Sequence, residues 1–231
     1  MTPGPILVVA AHPDDEALGC GGTMARLSAE RVAVNILFLG DGETSRFATA
    51  SGAKALRAIA DRQRAARAAA KILGARPPHF ADFPDNRFDR VPLLDIVRHI
   101  ETAIARVRPA SIFTHHGGDL NVDHRIVHQA VVTACRPLPG STVSGIYTFE
   151  TLSSTEWSSE AIGPAFRPRC FVDIDSWLDT KLRALDCYPG EMRPFPHARS
   201  RDAVIHQARL RGATAGLAAA EAFDVIREIV I

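Results

Sequence analysis

Six residues near the start of the chain, "AHPDDE" at 11–16, set His12, Asp14, Asp15 and Glu16 side by side at the end of an apolar run. Three carboxylates beside one imidazole repel one another in a partly desolvated cleft unless a cation compensates them. A divalent metal is the usual cation, and a hydrolytic zinc site takes about three His or Asp/Glu ligands and keeps one position open for water. His12 and Asp15, at i and i+3 in a turn, can supply two ligands. The third can come from a second polar cluster, "HHGGDLNVDHRIVH" at 115–128, as His124. A metal lowers the pKa of its water, but a side chain must still take the proton. Asp14, adjacent to a ligand and not needed as one, is the candidate general base.

Each cluster has a plainer reading when taken alone. The acids at 14–16 suit the first turn of a helix and its dipole, and His124 with His128 could be an exposed i, i+4 pair. What favours a common site is the elements that carry them. Ile6–Ala11 and Val32–Leu39 are continuous apolar runs rich in Val and Ile, separated by a helical apolar spacing at Leu18, Met24, Ala25 and Leu27. Strand, helix, strand in that rhythm is a βαβ unit, and unbroken hydrophobicity marks strands covered on both faces. A long polar loop, "GDGETSRFATASGAKA", leaves the second strand, and an Ala/Arg helix over 53–73 stops at Gly74 and Pro77-Pro78. "HFADF" is a third strand, 91–109 a helix with an apolar stripe, and "SIFTHH" a fourth strand. A helix over 123–134, strands in "SGIYTFET" and "CFVDI", a helix over 177–185 and a terminal helix from Asp202 to about Ala220 complete the chain. The pattern predicts a three-layer α/β fold, a Rossmann-like, mostly parallel sheet with helices on both faces, in which ligands bind at the carboxyl ends of the strands. Both polar clusters fall at such ends.

Composition narrows the function classes. The 231 residues suit one domain over 1–231, and 27 Lys plus Arg against 26 Asp plus Glu leave a formal charge of +1, which provides no electrostatic footprint for nucleic acid or an anionic membrane. The four cysteines, Cys20, Cys135, Cys170 and Cys187, show no C-x-x-C spacing and suit buried thiols in a reducing compartment. The leading apolar run is too short for a signal peptide or a membrane span, so a cytoplasmic enzyme without stable membrane insertion is expected. Dinucleotide binding is disfavoured: "GCGG" at 19–22 is not G-x-G-x-x-G, and carboxylates stand where a pyrophosphate would sit.

"AAHPDDEALGCGG" at 10–22, followed by "DLNVDHRIVHQAV" at 119–132, resembles the LmbE-like or PIG-L deacetylases. With "GDGE" after the second strand and "LG" closing the long helix, the likeness runs over residues 5–135 and more loosely beyond. Members of that family remove N-acetyl groups from amino sugars using zinc. The resemblance implies one Zn2+ held by His12, Asp15 and His124, with Asp14 as the base, in agreement with the reading above. Where several members have a histidine in His-Pro-Asp-His, this chain has Asn121 in "NVDH". The general acid therefore stays open among His116 or His115, with Asp123 orienting a histidine, and Asp14 itself. Asn121 can still donate a hydrogen bond to an oxyanion.

The expected partner is a small-molecule N-acetylated sugar or sugar conjugate. Arg46, Asp85, Arg87, Arg193 and His197, all in predicted loops, are candidate substrate contacts. A metal-dependent amidase on a non-sugar metabolite and a non-catalytic metal-binding protein are the alternatives. The alanine-rich face of the 53–73 helix offers a surface for a homo-oligomer or for packing on the sheet.

Overall fold

The computed structural model describes residues 4–49 and 51–230. Seven strands form one sheet in the order β3-β2-β1-β4-β5-β7-β6. They are β1 (Ile6–Ala10), β2 (Val34–Gly40), β3 (His79–Phe83), β4 (Ser111–His115), β5 (Gly145–Phe149), β6 (Cys170–Asp173) and β7 (Ala220–Glu228). β1 to β5 run parallel, while β7 pairs antiparallel with both β5 and β6. Six helices cover the sheet: α1 (Asp15–Ala29), α2 (Ala53–Ile72), α3 (Leu93–Val107), α4 (Val122–Ala134), α5 (Leu178–Leu185) and α6 (Arg201–Thr214).

The period-two geometry of a strand divides β1 between two cores. Ile6, Val8 and Ala10 pack with Met24, Ala66, Leu182 and Val204, so α1, α2, α5 and α6 share one face. Leu7 and Val9 pack with Ile96, Ile100, Val127 and Val131 of α3 and α4 on the other. Burial on both faces is why β1 reads as an unbroken apolar run, each fully buried Val or Leu contributing about 1.5–3 kcal/mol.

Two expectations are corrected. The last helix ends at Thr214, and 220–228, whose onset the sequence assigned to that helix, is β7. Its Ala-rich approach favours helix locally, but pairing on both sides supplies the strand state. Of the four free cysteines, Cys20 and Cys135 are buried, whereas Cys170 and Cys187 are half-buried. The "GCGG" stretch lies inside α1, which kinks at Cys20. A Cβ on Gly19 would stand 2.2 Å from Phe149 Cδ2, so that glycine lets α1 lie close against the sheet. The kink is tied by the buried ion pair Lys181–Glu221: Glu221 accepts from the N–H groups of Gly22 and Thr23, and Lys181 donates to the Leu18 carbonyl.

Between β1 and β4 the strand order reverses, and at such a point a crevice opens beyond the strand ends. Ile6, Leu7 and Val8 are in register with Ser111, Ile112 and Phe113, which sets the turns after β1 and β4 beside each other.

Candidate metal and catalytic site

His12 leaves the turn after β1, and Asp15 opens α1. His124 sits in the first turn of α4, which Asn121 caps by accepting the Asp123 N–H at 2.8 Å. Asp15 Oδ2 lies 3.4 Å from His12 Nδ1 and 3.4 Å from His124 Nε2. A tetrahedron built on zinc bonds of about 2.0–2.2 Å has edges of about 3.3–3.6 Å, so the spacing of these three donors fits a tetrahedral divalent ion. The outward nitrogens meet carboxylates. His12 Nε2 donates to Asp123 Oδ2 at 3.0 Å and also lies 3.1 Å from Asp85 Oδ1. His124 Nδ1 stands 3.1 Å from Asp119 Oδ1, close enough for charge attraction but without hydrogen-bond alignment. Carboxylates behind the imidazoles fix which nitrogen faces inward. His12, Asp85 and Asp123 also converge closely enough to be a second group that could hold an ion. There, however, His12 Nε2 is already donating to Asp123.

Charges in this cluster compensate one another. Burial would lower the pKa of both ligand histidines. Hydrogen bonds from His12 to Asp123 and Asp15 instead raise it well above the ordinary value, and Asp15 and Asp119 bring His124 up to about 9. Asp15 is held well below the carboxylate range because His124 and His115 outweigh its burial. Positive charge is thus strongly favoured where the three donors meet.

Asp14 is positioned differently. Its backbone takes φ 136°, a region that strains any residue with a Cβ. Its carboxylate faces the cleft, accepting from Arg199 Nη1 at 2.8 Å with Arg62 Nη1 at 3.9 Å. Burial raises its pKa to about 6, and Arg199 opposes the rise. Beside it is a cavity of about 140 Å³ lined by His12, Asp14, Arg46, Asp85, Asn121, His124, Ser153, Ser154, Glu191 and Arg199, among others. Asp85 is anchored by Ser45 Oγ–H and by Asn86 Nδ2 at 3.1 Å.

The cavity therefore gathers the three expected ligands, Asp14, Asn121, Arg46 and Asp85. Asp123 is buried behind it, bracing His12 and accepting from the N–H groups of Asn86 and Phe88 at 2.7 and 3.0 Å. The remaining expectations are corrected. His116 turns away, donating from Nε2 to the Pro164 carbonyl at 2.7 Å and packing on Phe166. His115 is fully buried; its Nε2 accepts the Ala11 N–H at 2.9 Å while its ring stacks on His124 at 3.9 Å. Arg87, Arg193 and His197 are exposed and outside the cavity lining, because the loops that carry them direct their neighbours Asp85, Glu191 and Arg199 inward.

Arg62, Glu191 and Arg199 were not foreseen. Arg62 donates to Glu43 at 2.8 Å and to Glu191, and Glu191 also accepts from Arg46 at 2.7 Å and Arg199 at 3.0 Å. These guanidinium groups outweigh burial and hold Glu191 down at about 2. A signal for Arg62 existed: it stands on the buried stripe Ala55, Arg62, Ala66, Ala69 of α2, where a charge requires partners. Nothing local marked Arg199 over Arg193.

Comparison with known proteins agrees with this geometry. The sequence profile of PIG-L, GlcNAc-PI de-N-acetylase, matches residues 7–135. An uncharacterized deacetylase, YaiS, of Escherichia coli K12 is 32% identical over 186 residues, covering 78% of this chain and 88% of its own. A 4-oxalmesaconate hydratase of Pseudomonas putida is 30% identical over 202 residues, covering 80% and 73%. The structure of N,N'-diacetylchitobiose deacetylase from Pyrococcus horikoshii, 19% identical, superposes with a TM-score of 0.76 over 96% of this chain and 84% of that one, a likeness of fold. Among the described residues no helix is long and apolar enough to cross a membrane.

Proposed function

The chain belongs to the PIG-L family, and from the chemistry of its cleft we propose that it is a zinc-dependent N-deacetylase that hydrolyses the acetamide of an amino sugar or amino-sugar conjugate, releasing acetate and a free amine. The observation that carries this reading is Asp14: a buried carboxylate aimed into the cleft beside three convergent donors and not required among them. A purely structural metal site is closed and has no use for a spare base.

His12, Asp15 and His124 would hold the ion, with Asp123 and Asp119 behind the two imidazoles. When bound, it supplies Lewis acidity, acidifying water and polarising the acyl oxygen. Asp14 takes the proton of the attacking water. With His116 facing Pro164, Asp14 is also the group that returns a proton to the departing nitrogen. Asn121, whose Oδ1 is committed to capping α4, offers its Nδ2 to the developing oxyanion. Arg46, Asp85, Glu191 and Arg199 alternate donors and acceptors around the cavity, as the hydroxyl groups of a sugar require.

Acetate release from a panel of N-acetylated sugars, free and nucleotide-linked, tests the proposal in protein stripped with chelator and reloaded with zinc. Activity should return with metal. Asp14→Asn should keep stoichiometric metal and lower kcat by about 10²–10⁴; unchanged turnover removes Asp14 from proton transfer. The identity to a hydratase favours a second reading, water addition to an unsaturated dicarboxylate, and that substrate is the control arm. Hydration without acetate release would replace the deacetylase assignment.

A further inference from the structure

Glu16 is the acid of the opening cluster that no step above employs, and it is completely buried. Its two oxygens are committed in different directions. Oε2 accepts the backbone N–H of Asp14 at 3.0 Å, and Oε1 accepts the hydroxyl of Tyr188 at 2.6 Å. Tyr188 is also buried, and it lies just beyond α5, 172 positions along the chain from its partner.

Asp14 is the residue that begins α1: its carbonyl accepts the N–H groups of Ala17 and Leu18 at 3.1 and 3.0 Å. A residue in that position ordinarily turns its side chain back to accept an N–H of the first turn. Asp14 makes no such bond. The acid of the first turn reaches back instead, as in one half of a capping box, and satisfies the Asp14 N–H while the backbone stays at φ 136°. The Asp14 carboxylate is thereby released toward Arg199 and the cleft. A simple interaction of Glu16 with the helix dipole needs neither a bond to residue 14 nor a tyrosine behind it.

We propose that Glu16, braced by Tyr188, is the positioning residue that frees the Asp14 carboxylate from capping α1 and holds it at the reacting centre. The proposal rests on the assignment of proton transfer to Asp14, and its test separates the two. Three variants are compared: Tyr188→Phe, Glu16→Met and Glu16→Gln. Glutamine can keep both contacts, since its oxygen accepts from Asp14 and its amide donates to the tyrosine oxygen.

Hydrogen exchange of the Asp14 amide, followed by NMR in the protein without substrate, should speed up about tenfold in Glu16→Met and about threefold or more in Tyr188→Phe. It should stay near the parent rate in Glu16→Gln. In acetate release, kcat should fall about tenfold or more in Glu16→Met and several-fold in Tyr188→Phe, with KM and bound zinc unchanged, and Glu16→Gln should restore it. Faster exchange without a loss of kcat, or a loss of kcat without faster exchange, overturns the positioning role. So do equal effects of Gln and Met at position 16. Should Glu16→Met not fold, Tyr188→Phe decides alone. If the parent protein releases no acetate from any substrate, the deacetylase assignment falls while the exchange comparison still decides for or against Glu16.

Discussion

His12, Asp15 and His124 hang from turns directly after the parallel strands β1 and β4, whereas Glu191 and Arg199 reach the same cleft from the irregular segment between α5 and α6. The first set is held by sheet register, which no single side chain controls. The second is held by side chains: Arg62 and Arg46 grip Glu191, Arg199 bridges Glu191 to Asp14, and Tyr188 reaches Glu16. The contrast follows a division of labour. Ligand atoms must be fixed to within a few tenths of an ångström, which rigid elements achieve, while the wall that meets a substrate can be exchanged with a loop.

The comparison can be broken by substitutions on either side. The largest effect is expected at His12→Ala, which should abolish stoichiometric metal by elemental analysis and lower acetate release by at least about 10³, since one ligand and the grip of Asp123 on it vanish together. Retained metal would take His12 out of the ligand set. Arg199→Gln should be milder and different in kind: metal content unchanged, with kcat/KM down about tenfold, because only contacts to Asp14 and Glu191 are lost. Metal loss in that variant would show that the two regions are not separable.

The smallest effect is a pH dependence of stability. Glu191 has its folded pKa lowered from 4.5 to about 2, so its contribution is present above about 4.5 and is lost as pH falls toward 2. Thermal midpoints of the parent and Glu191→Gln should therefore differ at pH 7 and converge on acidification through that window. A constant difference across it would mean that Glu191 stabilises by packing rather than by charge.

Much of the first region was legible in the sequence. Val and Ile runs located β1, β2 and β4, and the histidines and acids stood at their ends. Asp123 was expected to orient a histidine, and it braces His12 rather than His115 or His116. The second region was less legible. Arg62 could have been found on the alanine stripe of α2, but β7, with acids and an arginine among its apolar residues, looks like a strand only once β5 and β6 flank it. Glu16 looked like helix-terminal charge until Tyr188 was seen behind it.

By itself the sequence determined the α/β order of elements, the strand ends on which chemistry is placed, and the donor types, His12, Asp14, Asp15 and His124, because periodicity and residue type are local properties. Tertiary structure alone decided which nitrogen of each histidine faces inward, that His116 faces Pro164, and that Arg199 rather than Arg193 meets Asp14. Those choices depend on side-chain directions and on charges brought together from more than a hundred residues apart, which no local pattern encodes.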